Sequence, residues 1–135
     1  MYLSSKSEEI SMNYEENLLF TKEHVWIKKI QQNRYQLGIS NFAQDLLGDI
    51  VFFDIEINKN VSESQSLGMI ESVKTASEII CPQNCLVKEI NADLIKNPEL
   101  VNDEPHKTWI CEIEFHEELN IEKFFTYENY LESIK

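Results

Sequence analysis

The sequence predicts a mainly β domain, a sandwich or barrel-like core with a few short helices. Three observations predict it: apolar and polar residues alternate in several short runs, clusters of Asn, Gln and Lys separate those runs, and stretches with helical spacing are few. Residues i and i+2 of a strand point to the same side, so each run can turn an apolar face inward. Many short strands divided by turns bury such faces only by packing sheet on sheet or by closing into a barrel.

The elements follow in chain order. A strand around residues 25–28 and the run Tyr35, Leu37, Ile39 are joined by a turn at Gln31-Gln32-Asn33; Arg34, Gln36 and Gly38 take the other parity. Asn41 is placed to cap a short helix over residues 42–46, with Gln44 reaching back as in a capping box. Val51, Phe53, Ile55 and Ile57 share one parity against Asp54 and Glu56, while Phe52 breaks the pattern and is assigned to a second buried face. Asn58-Lys59-Asn60 reads as the next turn, and Leu86, Lys88 and Ile90 as the inward side of a shorter strand. Residues 91–100 hold a helical turn or two, after which Trp109, Cys111, Ile113 and Phe115 alternate with Ile110, Glu112 and Glu114. Thr126 caps a last helix whose Tyr127, Tyr130, Leu131 and Ile134 recur at i, i+3, i+4 and i+7, a stripe suited to packing on a sheet.

Composition narrows the function. The chain has 135 residues, the size of one domain, and 42% of them are hydrophobic. Twelve Lys and Arg against 24 Asp and Glu give a formal charge of -12. A polyanion repels phosphate backbones, which argues against nucleic-acid partners and favours basic protein surfaces. No apolar run approaches the ~18 residues of a membrane span. Residues 1–17 carry Glu8, Glu9, Glu15 and Glu16 and no apolar core, unlike a secretory or mitochondrial leader. They read as an acidic, partly ordered extension before a single domain over residues 18–135. The expected location is the cytoplasm, consistent with an odd number of cysteines and no framework spacing.

The most informative stretch is Gly68-Met69-Ile70-Glu71-Ser72-Val73-Lys74-Thr75-Ala76-Ser77-Glu78. A lysine between two short β-prone runs can serve as an attachment point, because a primary amine can be acylated and then carries a long swinging group. Local rules do not place a turn at Val73-Lys74, since tight hairpins favour Asn-Gly or Gly at their centres. Elsewhere the chemistry is sparse. Cys81, Cys85, Cys111 and His106 make a poor zinc set, because Cys-x3-Cys with distant partners does not match paired ligand spacing. His24 and His106 have no nucleophile motif beside them. Glu112, Glu114, Glu117 and Glu118 read as a solvated acidic face.

The order of landmarks over residues 19–115 resembles the glycine cleavage system H-protein family. Thr21-Lys22-Glu23-His24-Val25-Trp26 is similar to that family's opening strand, and Gly38-Ile39-Ser40-Asn41-Phe42-Ala43-Gln44 with Leu47-Gly48-Asp49-Ile50-Val51-Phe52 to its most recognisable block. Glu71-Ser72-Val73-Lys74 resembles the lipoyl attachment motif, followed by Ser77-Glu78 and Pro82; Asn91, Asn97-Pro98, Leu100-Val101-Asn102, Pro105 and Trp109 complete the series. Four motifs in the right order over about a hundred residues make a specific match.

The resemblance implies a barrel-sandwich hybrid of two small antiparallel sheets, with quasi-two-fold symmetry and short flanking helices. It implies lipoate joined covalently to Lys74, with Glu71, Ser72 and Val73 forming the attachment motif, and no catalytic or metal-binding residue. The implied role is a carrier, monomeric in isolation. It would take an aminomethyl group from a glycine decarboxylase (P protein) to a folate-dependent aminomethyltransferase (T protein). A dihydrolipoyl dehydrogenase (L protein) would reoxidise it, and a lipoyl-attaching enzyme would modify it. Biotin carriers set their lysine between methionines and dehydrogenase lipoyl domains put Asp before it, whereas Val73 and Thr75 flank this one. Amide formation would take the formal charge to -13 (-12 - 1 = -13).

Several positions depart from the family pattern. Val25 stands where an acidic residue is usual, and Glu23 beside it would face the opposite side of a strand. Gln83-Asn84-Cys85 follows Pro82 without the usual glycine, leaving Asn84 to supply a left-handed turn, and the loop before Trp109 also lacks one. Two other functions therefore stay open: a lipoyl relay that donates to other lipoyl domains, and an unmodified β-sandwich binding module.

Overall fold

The computed structural model describes residues 14–135. Of the acidic extension, residues 1–13 lie outside the described residues. Its remainder, Tyr14–Asn17, is a 3-10 turn, with Tyr14 packed on the core and Glu15 paired to His106 at 3.1 Å.

Nine strands follow: β1 (Leu18–Phe20), β2 (Val25–Gln31), β3 (Arg34–Ile39), β4 (Ile50–Ile55), β5 (Asn60–Val61), β6 (Ser66–Ser72), β7 (Ala76–Ile80), β8 (Cys85–Ile90) and β9 (Cys111–Phe115). Helices α1 (Asn41–Leu47), α2 (Ala92–Lys96), α3 (Glu99–Asp103) and α4 (Tyr127–Ser133) flank them. The strands form a six-stranded sheet in the order β1-β2-β3-β9-β8-β5 and a three-stranded sheet β4-β6-β7. Every pairing is antiparallel. The two sheets are unequal in strand number.

Alternation predicted most inward faces. Tyr35, Leu37 and Ile39 of β3 and Cys111, Ile113 and Phe115 of β9 are buried. Two runs were misjudged. In β8 the inward side is Cys85 and Val87, not Leu86 and Lys88. In β4 the register shifts between Ile50 and Phe52, a bulge that reverses the parity upstream of Phe53. Ile50 and Phe53 are therefore buried, while Val51 and Phe52 are both about half exposed, and Phe52 has no second buried face.

One of the two expected caps moved. Ser40, not Asn41, caps α1, its hydroxyl accepting from Ala43 N, and Gln44 turns away toward Gly48 O and Asn102. Thr126 caps α4 as expected, accepting from Asn129 N. Of the helix stripe, Tyr130 is fully buried and Leu131 faces solvent.

The main apolar cluster lies between the two sheets, with Val25, Ile39, Ile70 and Ile79 in its wall beside the β6–β7 hairpin. A second cluster (Leu18, Phe20, Trp26 and Tyr130) docks α4 on the outer face of β1 and β2. Phe20 and Tyr130 stack at 4.7 Å there, and Phe20 and Phe125 exchange both backbone hydrogen bonds at 2.8 Å. Trp26 lies flat over its cross-strand partner Gly38, where a Cβ would come within 2.4 Å of the indole ring. The carboxyl-terminal helix thus locks the six-stranded sheet behind the site.

Candidate functional site

Strands β6 and β7 run as one hairpin, with Glu71 opposite Ala76 and Ile70 opposite Ser77, so Val73 and Lys74 are its tip. No Asn-Gly is needed, because neither residue adopts a positive φ. Ser72 supplies the closure. Its N–H donates to Thr75 O at 2.8 Å, while its hydroxyl accepts from Lys74 N at 3.3 Å and Thr75 N at 3.1 Å. This is a serine side chain substituting for backbone turn geometry.

Lys74, Val73 and Glu71 are exposed, and Val73 reaches 72%. The Lys74 amine enters no ion pair among the described residues. Its methylene stem crosses Gly48, where an added Cβ would lie 2.8 Å from Lys74 Cε. Gly48 ends α1 with φ +82, a conformation suited to glycine, and donates its N–H back to Gln44 O at 2.9 Å. The stem thus has a floor while the amine stays in solvent.

The tip is tied to the body from behind. Val73 N donates to Asp49 O at 3.0 Å. Asn102 on α3 grips the start of β4, accepting from Ile50 N at 2.9 Å and donating to Ile50 O at 3.2 Å. Gln44 donates to the same Asn102 oxygen at 3.3 Å. Asn102 was visible in the sequence only as a landmark. Its bracing role was missed because its partner lies 52 residues away.

Along the hairpin flank runs a narrow hollow of about 120 Å³, with Val25, Ile39, Ile70 and Ile79 on its apolar wall and Glu23 and Glu78 at its edge. Glu23 is therefore not on the far side of a strand. Thr21 folds residues 21–24 into a turn, its hydroxyl accepting from Glu23 N and Val25 N, both at 3.2 Å, so β2 begins only at Val25. His24, at φ 69, links this turn to Tyr130 through a 2.8 Å contact. Burial holds its imidazole below the usual value, partly opposed by Glu23. On the other side of the tip, Asp49, Glu99 and Asp103 surround Val51 and Val73 in a second, acidic hollow.

Glu71, Ser72, Val73 and Lys74 thus stand together at one protruding apex. The histidine and cysteines do not converge: His106 is held by Glu15 and Asn41 N, while Cys81 and Cys85 sit beyond the opposite end of β7. Asn84 keeps a negative φ and shapes its loop by accepting from Glu63 N at 2.7 Å, so the left-handed turn expected there does not form.

Residues 18–135 match the family model described as Glycine cleavage H-protein. A glycine cleavage system H protein of Oceanobacillus iheyensis is 42% identical over 121 residues, 88% of this chain and 95% of that protein. One of Aliivibrio salmonicida is 39% identical over 123 residues, 90% of this chain and 98% of the relative. The crystal structure of a glycine cleavage system H protein from Mycobacterium marinum resembles this fold with a TM-score of 0.78 at 25% identity. That likeness covers 88% of this chain and 97% of the other.

Proposed function

The chain belongs to the glycine cleavage H-protein family, and we propose that Lys74 is the residue on which it bears the family's lipoyl arm. It is a non-catalytic carrier of covalently attached lipoate that works with the other components of the glycine cleavage system. When attached, the dithiolane supplies a reversible disulfide for moving an aminomethyl group. The observation that carries the assignment is an exposed amine, unpaired among the described residues, at the apex of a braced hairpin.

The chain's own residues supply position. Ser72 holds the tip turn closed, Asp49 and Asn102 fix it to the body, and Gly48 leaves a smooth floor under the lysine stem. A rigid base with one flexible stem confines the amine to a small volume, which raises its effective concentration at an enzyme that docks on the domain. Glu71 flanks the motif as part of an acidic rim that suits basic partner surfaces. Glu23 and Glu78 supply carboxylates to the flank hollow even though Val25 does not, which supports glycine cleavage over a pure relay.

The partners of this reading are a lipoyl-attaching enzyme, glycine decarboxylase, the folate-dependent aminomethyltransferase and dihydrolipoyl dehydrogenase. Residues 18–135 act as one carrier domain, monomeric in isolation and working in the cytoplasm; no helix of the described residues is long and apolar enough to cross a membrane.

Lys74→Arg is the direct test. Intact mass of protein from its own cells should show one lipoyl increment that this variant lacks entirely, with an unchanged melting curve. An increment persisting in the variant would place the arm on another residue. Glycine–bicarbonate exchange with a purified decarboxylase then separates the two carrier roles, since a lipoylated relay would support none.

A further inference from the structure

Two thiols that carriage does not use stand in contact beyond the end of β7 remote from the tip. Cys81 follows β7 directly and Cys85 opens β8, so they flank the Pro82-Gln83-Asn84 loop where the chain leaves the three-stranded sheet for the six-stranded one. Their sulfurs are 3.7 Å apart. A disulfide bond measures about 2.0 Å, so closure asks for ~1.7 Å shared between two side chains and a short loop. Cys111, the third cysteine, lies on the neighbouring strand β9 and is fully buried.

The pair is asymmetric. Cys81 Sγ lies 3.1 Å from Gln83 O and lines a surface hollow of about 320 Å³ with Lys22, Glu63, Ser64, Lys123 and Phe125. The hydrogen bond with Cys85 draws the Cys81 thiol below its usual range against the opposing effect of burial, and it raises the Cys85 thiol, which burial raises further. Burial pushes Cys111 up to about 12. Cys81 is thus the more readily ionised of the two, its neighbour is a thiol positioned to resolve it, and the third is held as a thiol by burial. Both sulfurs are shielded from bulky thiols. The hollow, however, is roomy beside the ~30 Å³ that a water-sized molecule occupies.

We propose that Cys81 and Cys85 form a redox-active pair that closes to an intramolecular disulfide on meeting a small peroxide. The Cys81 thiolate attacks one peroxide oxygen, the O–O bond breaks, and the departing hydroxide takes up a proton to leave as water, with Cys81 as a sulfenic acid. Cys85 sulfur then attacks that sulfur and its proton goes with the displaced hydroxyl as a second water. Two thiols are oxidised by two electrons and the peroxide is reduced by two. The bond would tie the end of one sheet to the start of the other, away from the lysine tip, and does not depend on what Lys74 carries.

Treatment of the full-length protein with hydrogen peroxide, alkylation under denaturing conditions and tryptic mapping test this. Cleavage at Lys59 or Lys74 and at Lys88 keeps Cys81 and Cys85 in one peptide, and cleavage at Lys107 and Lys123 places Cys111 in another. The first peptide should lose two hydrogens and resist alkylation until reduced, while the Cys111 peptide alkylates freely. With a sulfenic-acid probe, Cys85→Ser should label at position 81 about tenfold more than Cys81→Ser labels at position 85. Equal labelling, a bridge to Cys111 or to a second molecule, or two freely alkylated thiols in the first peptide would overturn the proposal. The wild-type map decides alone if either variant fails to fold.

Discussion

Replacing Ser72 by alanine removes the acceptor shared by Lys74 N and Thr75 N from a turn that has no glycine to fall back on. The tip is exposed and water can replace part of the loss, so the expected cost is only about 0.5–1.5 kcal/mol, confined to the hairpin. Amide exchange at Lys74 and Thr75 should quicken while the global melting temperature barely moves, and the rate of lipoyl attachment should fall. Unchanged exchange at those two amides would show that the backbone holds the turn unaided. Ser72 was legible as part of a motif, but its mechanical role was not. A serine preceding two non-glycine residues is compatible with strand, helix or turn, and only the antiparallel return of β7 selects among them.

At the scale of elements, Gly38 on β3 and Trp26 on β2 form one unit. The two residues are directly cross-strand, and the indole occupies the space a side chain at 38 would need, while its Nε1 donates to Pro105 O at 2.9 Å. Gly38→Ala should therefore displace the ring and cost about 1–3 kcal/mol, the usual penalty of overpacking. The expected signature is a lower denaturant midpoint with an unchanged m-value and an altered tryptophan emission; a midpoint equal to wild type would mean the ring relocates freely. Strands β3 and β9 were readable because an uninterrupted pleat keeps the period of two. Strand β4 was not, because one bulge between Ile50 and Phe52 inverts every position upstream of it. That inversion puts Val51 on the surface, where the alternation pattern had buried it, next to Phe52, which is exposed and has no second buried face.

Across the whole molecule, the ring of Tyr130 connects three separated parts of the chain. Its hydroxyl lies 2.8 Å from His24 Nδ1 and 2.7 Å from Ser40 Oγ, and Ser40 in turn caps α1 beneath the hairpin. Burial lowers the His24 imidazole below its ordinary 6.5 in the folded chain, whereas the unfolded chain regains that value. Between the two values the unfolded state binds the proton and the folded state does not. Stability is therefore fully present above about 6.5, is lost as pH falls toward the folded value, and levels off below it. His24→Asn, which keeps a polar side chain and tolerates the positive φ, should flatten this slope in denaturant titrations across that window. An identical slope in the variant would assign the pH dependence to other groups.

The sequence by itself determined the class of fold and the family, and it singled out the lysine proposed to carry the arm. Alternation, turn residues and a contiguous attachment motif are local properties, and each is written in neighbouring residues. Only the tertiary structure decided that Ser72 closes the turn, that Asn102 and Gly48 brace and floor it, that Glu23 reaches the flank hollow, and that Cys81 and Cys85 touch. Most of these depend on where a distant strand or helix returns to meet the chain. A one-residue bulge or a turn begun one residue early is enough to redirect a side chain, and neither leaves a mark on the local pattern.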